Sequence, residues 1–121
     1  MIDKRYTYAV AGASNDPSKY GHKVLKDLLN KGFNVYPLNP KAEEVLGKKA
    51  YKELDELPET IDVLITVTPP PVTDTIVRQA VYQSIEKIWM QPGSFTEEIV
   101  KYCNDNNIDV IAGACIMMEE K

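Results

Sequence analysis

Apolar and polar positions along this chain switch repeatedly between strand-like and helix-like periods. Tyr6 to Ala11 is nearly continuous in apolar character, as a strand covered on both faces would be, and the run ends on Gly12. From Gly21 the period lengthens. Val24, Leu25, Leu28 and Leu29 share one helical face, Lys23, Lys26, Asp27 and Lys31 the other, and Gly32 stands where a C-terminal cap belongs. Phe33 to Leu38 reads as a second strand, closed by Asn39-Pro40-Lys41, because Pro40 cannot donate a ladder hydrogen bond and restricts Asn39. Ala42 to Tyr51 reads as a connecting excursion turning at Gly47, followed by one helical turn over Lys52 to Leu57. Ile61 to Val67, rich in β-branched residues and bounded by Pro58 and Pro69, is the strongest strand signal. Pro69, Pro70 and Pro71 sit at a helix start, where a missing N–H costs little, and Val72, Ile76, Val77, Ala80 and Val81 give that helix its buried stripe. Ile85 to Met90 is a fourth strand, ending in the turn cluster Gln91-Pro92-Gly93-Ser94. A helix over Phe95 to Asn106, with Ile99, Val100 and Cys103 inward, leads to a fifth strand at Ile108 to Ala112.

Strands alternating with helices imply an α/β architecture: a doubly wound parallel sheet of five main strands, three layers thick, joined by right-handed crossovers. The expected order is 3-2-1-4-5, with strand one central. Ligands in such sheets bind beyond the carboxyl ends of the strands where the order reverses, which in that order is the crevice between strands one and four. No repeat, low-complexity tract or linker interrupts the pattern, so residues 1–121 read as a single domain.

Charge narrows the partners. Fourteen Lys and Arg against 18 Asp and Glu leave a net charge of -4, which argues against broad binding to nucleic acid or an anionic membrane. An anionic ligand must then be held by local geometry. The N-terminal run from Met1 to Tyr6 lacks the apolar core of a signal peptide, and no stretch approaches the roughly 20 apolar residues of a membrane span, so the expected location is cytoplasmic. Cys103 and Cys115 have no C-x-x-C spacing and there is one His, so neither a disulfide framework nor a metal site is expected.

The chemistry concentrates in Gly12 to Gly21. A strand running through a tight polar loop into a helix exposes backbone N–H groups at the positive end of the helix dipole, a cradle for phosphate or pyrophosphate. The glycine spacing departs from the compact dinucleotide fingerprint, with Ser14 in place of the middle glycine. Strand two ends in Asn39-Pro40-Lys41 where an NAD enzyme would carry Asp or Glu for the ribose hydroxyls, which counts against NAD. Lys41 suits a phosphate on the ribose instead, carried at the 3′ position by CoA and at the 2′ position by NADP.

Gly12-Ala-Ser with Gly21, Asn39-Pro40 followed by Gly47, Trp89-Met-Gln91-Pro-Gly93, and Cys115-Ile-Met-Met-Glu119 together resemble the small stand-alone CoA-binding proteins, which are similar to the N-terminal CoA-binding domain of the succinyl-CoA synthetase alpha subunit. The resemblance covers nearly the whole chain. It implies a Rossmann-like domain with coenzyme A or an acyl-CoA as ligand. The pyrophosphate would fall on Gly12, Ala13, Ser14, Asn15, Lys19, Tyr20 and Gly21, and the 3′-phospho-adenosine on Asn39, Pro40, Lys41, Val67, Thr68 and Pro69. Trp89, Gln91 and Gly93 would border the pantetheine path. The synthetase's catalytic histidine lies outside the matched domain, so its ligase activity does not carry over.

Other residues take plainer roles. His22, in a helix's first turn without a visible partner, reads as an exposed surface group. Trp89 reads first as core, Cys103 as a small buried apolar side chain, and Cys115 as a thiol at the ligand edge of the sheet, within reach of a pantetheine thiol. Glu119 reads as a surface carboxylate or a structural hydrogen-bond partner. No catalytic constellation stands out. The leading reading is a non-catalytic binder of CoA or acyl-CoA, acting as carrier, sensor or regulator, its protein partner unknown. The alternatives are an NADP-dependent or acyl-transferring enzyme using Cys115 or His22, and an interaction module with a vestigial nucleotide site.

Overall fold

The computed structural model describes residues 2–118. Its elements follow in the order β1 (Thr7–Ala11), α1 (Tyr20–Asn30), β2 (Asn34–Leu38), β3 (Glu44–Val45), β4 (Lys48–Lys49), a 3₁₀ turn (Leu54–Glu56), β5 (Val63–Thr66), α2 (Pro70–Tyr82), β6 (Lys87–Met90), α3 (Glu97–Asp105), β7 (Asp109–Ala112) and a second 3₁₀ turn (Ile116–Met118). Gly32, at φ +85°, ends α1 as expected: its N–H and that of Phe33 bond back to the carbonyls of Leu29 and Leu28.

Among the described residues the main sheet has five strands, all parallel, in the order β2-β1-β5-β6-β7. In main-strand terms this is 2-1-3-4-5, which corrects the expected 3-2-1-4-5. The strand of Val63–Thr66, not the first strand, takes the centre. Two features fit the observed order. Pro37 sits within β2, and its carbonyl points to the outer edge, where Tyr51 N–H bonds it; its nitrogen, with no hydrogen to give, faces that same edge. Asp62 meanwhile clasps the start of β1, its carboxylate accepting from Thr7 N–H at 2.8 Å and its own N–H donating to Thr7 O at 2.9 Å, which docks β5 on the free side of β1.

Every residue of β1 and β5 is buried, so both strands are covered on both faces. Tyr8, Val10, Val63, Ile65 and Trp89 face α1, joined by Val45 of the hairpin and Ile116. Ala9, Ala11, Leu64, Ile88 and Met90 face α2 and α3, through Val77, Ala80, Ile99 and Cys103. The expected excursion after β2 is an antiparallel hairpin, β3 with β4, turning at Leu46 and Gly47, both at positive φ. Val72 corrects the stripe expected for α2. It is 45% exposed, and Thr73 is buried in its stead because its hydroxyl donates to Thr68 O at 3.1 Å.

Candidate functional site

With the observed strand order the chain reverses direction between β1 and β5, so the crevice lies between the loops after these two strands and not between strands one and four. Gly12 to Lys19 forms one wall, Val67 to Pro69 the other. They touch at Gly12, whose φ is +93° and whose missing Cβ would lie 2.8 Å from Val67 Cγ2 and 3.0 Å from Thr68 Cγ2. Gly21 is tighter still, because a Cβ there would lie 1.9 Å from the carbonyl oxygen of Gly12. The first turn of α1 therefore lies directly on the end of β1, a contact open only to glycine.

Side chains hold the loop's peptide groups in one orientation. Asn39 Nδ2 donates to Ala13 O at 2.9 Å, and the Asn39 Oδ1 accepts from the N–H groups of Lys41 and Ala42 at 2.7 and 3.0 Å, so one amide joins the loops after β1 and β2. His22 Nδ1 lies 2.9 Å from Ser14 O and donates to it, which corrects its expected exposure: the imidazole is buried, at 8% exposed, beneath the loop. Among the described residues every peptide bond is trans, so drawing in the Ala13 and Ser14 carbonyls turns the Ser14 and Asn15 N–H groups the opposite way. Asn15 reaches the hairpin, donating to Glu44 O at 2.7 Å and accepting from Leu46 N–H at 3.1 Å.

The three α-helices among the described residues present different N-termini at this rim. Thr96 caps α3, and Glu97 and Glu98 offset its dipole; α2 opens on Pro70 and Pro71, which have no N–H to offer. α1 has neither a side-chain cap nor an acidic residue in its first turn, and its N-cap is Lys19. Of the three it is the one built to attract an anion.

Two hollows open on this rim. One, of about 420 Å³, is lined largely by apolar groups between Gly12, Leu38, Pro40, Leu54 and Ile76, with Val72 exposed into it and Lys52 at its margin. The other, of about 670 Å³, opens between Tyr20, Val67, Pro69, Gly93 and Ser94. Thr68 borders both. It is held in place by a hydrogen bond from its hydroxyl to Thr73 Oγ1 at 2.7 Å. The Gln91–Ser94 turn is pinned by Ser94, which donates to Gln91 O at 2.8 Å and accepts from Thr66 Oγ1 at 3.0 Å.

The residues singled out from sequence thus divide into two groups. Gly12, Ala13, Ser14, Asn15, Lys19, Tyr20, Gly21, Asn39, Pro40, Lys41, Val67, Thr68, Pro69 and Gly93 gather at one rim, with the side chain of Ala13 and the whole of Gly21 buried in the loop's packing. Trp89 and Gln91 lie behind it, 1% and 0% exposed: the Trp89 indole donates to Ala114 O at 2.6 Å, and Gln91 Oε1 accepts from Ile116 N–H at 3.1 Å. Tyr20 joins the groups, its hydroxyl bonding Cys115 Sγ and lying 3.4 Å from Gln91 Oε1; burial and the contact with Cys115 push this phenol up to about 12. Glu119 lies outside the described residues. Lys52, Leu54, Val72 and Ile76 were not legible as site residues in the sequence because the hollow they line exists only once α2 packs beside the 3₁₀ turn. His22 carried one usable signal, its place one residue after the close-approach glycine.

The chain belongs to the CoA binding domain family, whose model matches residues 6–121. A stretch of 62 residues is 52% identical to the alpha subunit of ADP-forming acetate–CoA ligase II from Pyrococcus furiosus, covering 50% of this chain but 14% of that subunit. A conserved hypothetical protein of known structure from Pyrococcus furiosus superposes with a TM-score of 0.91 at 42% identity, over 95% of this chain and 99% of the other. Acetyl-coenzyme A synthetase 1 of Ca. Korarchaeum cryptofilum, solved with phosphate and ADP, superposes with a TM-score of 0.79 at 27% identity, over 89% of this chain and 25% of that one. The chain is thus homologous to the CoA-binding part of much longer ligases and also resembles a protein of its own size.

Proposed function

We propose that this chain binds coenzyme A or an acyl-CoA without transforming it, as a carrier, sensor or regulator. The observation that carries the reading is the place of Thr68, which borders both an apolar hollow that reaches Gly12 and an open one that reaches Tyr20 at the uncapped start of α1. That sequence of environments suits a ligand with an aromatic ring at one end, a pyrophosphate in the middle and an extended amide arm at the other.

The amides of Ser14 and Asn15 and the first turn of α1 would take the pyrophosphate, with Lys19 beside them. Asn39, Pro40 and Lys41 would border the adenosine and its 3′-phosphate from one side, Val67, Thr68 and Pro69 from the other. Gly93 would border the pantetheine arm, while Trp89 and Gln91 support that wall from behind. The bound ligand would supply a thiol or thioester. The ligase relatives act through chains several times longer than this one, so on this reading the stretch held in common would serve ligand binding and not the ligase reaction.

Calorimetric titration with CoA, dephospho-CoA and NADP tests the proposal. CoA is expected to bind, and to bind more tightly than dephospho-CoA. Equal affinity for the two removes the ribose-phosphate role of Lys41, and no binding of either ends the reading. The half-buried Cys115 thiol favours acyl transfer as the second reading. It requires turnover of an acyl-CoA that vanishes in Cys115→Ala. His22 is a poorer candidate there, its imidazole being committed to Ser14.

A further inference from the structure

The two cysteines sit in opposite chemical settings. Cys103 is fully buried in α3, and burial pushes its thiol up to about 11. Cys115 is a half-buried free thiol on the segment after β7. Both of its neighbours are tied down, Ala114 by the Trp89 indole and Ile116 by the Gln91 amide. The sulfur is thereby held against the Tyr20 hydroxyl, which donates a hydrogen bond to it. Tyr20 also lines the open hollow with Thr68 and Gly93, so the thiol stands one side chain from the space assigned above to the pantetheine arm.

Gln91 adds an independent observation. The residue is fully buried, its amide oxygen faces Ile116 N–H and the Tyr20 hydroxyl, and Nε2 of the same planar amide has no acceptor among the described residues. Buried donors are rarely left so. The amide stands directly behind Tyr20, which borders the open hollow, and the amide carbonyls of a pantetheine arm in that hollow are acceptors of the kind Nε2 lacks.

We propose that Cys115 is a site of mixed-disulfide formation with CoA, an inference that rests on the CoA-binding reading above. The co-reactant is the symmetrical disulfide of CoA. The Cys115 thiolate attacks one sulfur of that disulfide; the new S–S bond forms as the old one breaks, and the electron pair leaves with the second CoA as a thiolate, which takes up a proton. One disulfide is consumed and one is made, so no further oxidant enters. The Tyr20 hydroxyl touches the sulfur that carries the charge during attack.

Reduced protein is incubated with CoA disulfide, and separately with hydroxyethyl disulfide, and followed by intact mass and peptide mapping. The expected result is one CoA adduct, mapped to Cys115, reversed by dithiothreitol, absent from Cys115→Ser and retained in Cys103→Ala. It should form at least tenfold faster from CoA disulfide than the small adduct forms from hydroxyethyl disulfide. Equal rates, or an adduct on Cys103, overturn the proposal. Calorimetric binding of CoA by the reduced wild-type protein with no adduct also overturns it, while leaving the CoA-binding reading intact; absence of both binding and adduct takes down both.

Discussion

A Cβ on Gly21 would lie 1.9 Å from the carbonyl oxygen of Gly12, so the start of α1 and the end of β1 are closer than any other residue type allows. Gly21→Ala is expected to cost about 3 kcal/mol, the upper end of the overpacking range, because the obstacle is backbone and cannot rotate away. Gly93→Ala is the control. At φ +87° with nothing within 4 Å of its Cβ position, it should cost only the conformational penalty of about 1–2 kcal/mol. Urea denaturation decides, and equal losses in the two variants would contradict the close-approach argument.

Asn39 joins two loops through opposite ends of one amide, which makes its two functions separable. Asn39→Ala should lose about 1–3 kcal/mol, since the Ala13 carbonyl and two backbone amides all lose their partner. Asn39→Asp keeps an acceptor for Lys41 and Ala42 but sets a carboxylate against Ala13 O. Hydrogen exchange should then show the Lys41 and Ala42 amides protected in Asn39→Asp and open in Asn39→Ala, with CoA affinity reduced in both.

Lys41, next to Pro40 on the wall of the apolar hollow, and Lys52 on its lining are exposed cations, so each phosphate contact is worth about 0.2–1 kcal/mol, or roughly 1.4- to fivefold in Kd. Replacing either by Ala should narrow the affinity gap between CoA and dephospho-CoA and flatten its dependence on salt. A gap unchanged in the double variant would place the 3′-phosphate elsewhere.

Tyr36 donates a short hydrogen bond to Glu59, which also accepts from Asn34 and Thr7. These bonds hold the Glu59 carboxyl below its ordinary 4.5, and the bond to Glu59, aided by burial, pushes Tyr36 from 10.0 up to about 12. The depressed carboxyl contributes stability present above about pH 4.5 and lost as pH falls through its folded value. The raised phenol contributes stability present below pH 10 and lost as pH climbs toward 12. Thermal melts should therefore show Glu59→Gln with a shallower acid slope and Tyr36→Phe with a shallower alkaline one. A residual alkaline slope in Tyr36→Phe is expected from Tyr20, which is shifted the same way. Unchanged slopes would mean that the pair contributes nothing to folding.

What the sequence determined by itself was local. Each main strand and helix is visible in apolar periodicity, and each rim loop in Gly, Pro, Asn and Ser, because these signals depend on neighbours within a few residues. The gathering of Gly12, Asn39, Thr68 and Gly93 at one rim follows from parallel strands alone, since every strand then ends at the same side. Tertiary structure decided the rest. Strand order turned on which edge of β1 received β5, a choice made by Asp62 and Thr7 across the sheet; Pro37 did carry a local hint that its strand belongs at an edge. The burial of His22, the turning of Val72 into a hollow, and the meeting of Tyr20 with Cys115 across 95 residues of separation likewise depended on which surfaces packed together. Those contacts join parts of the chain far apart in sequence, and no periodicity within one element encodes its partner.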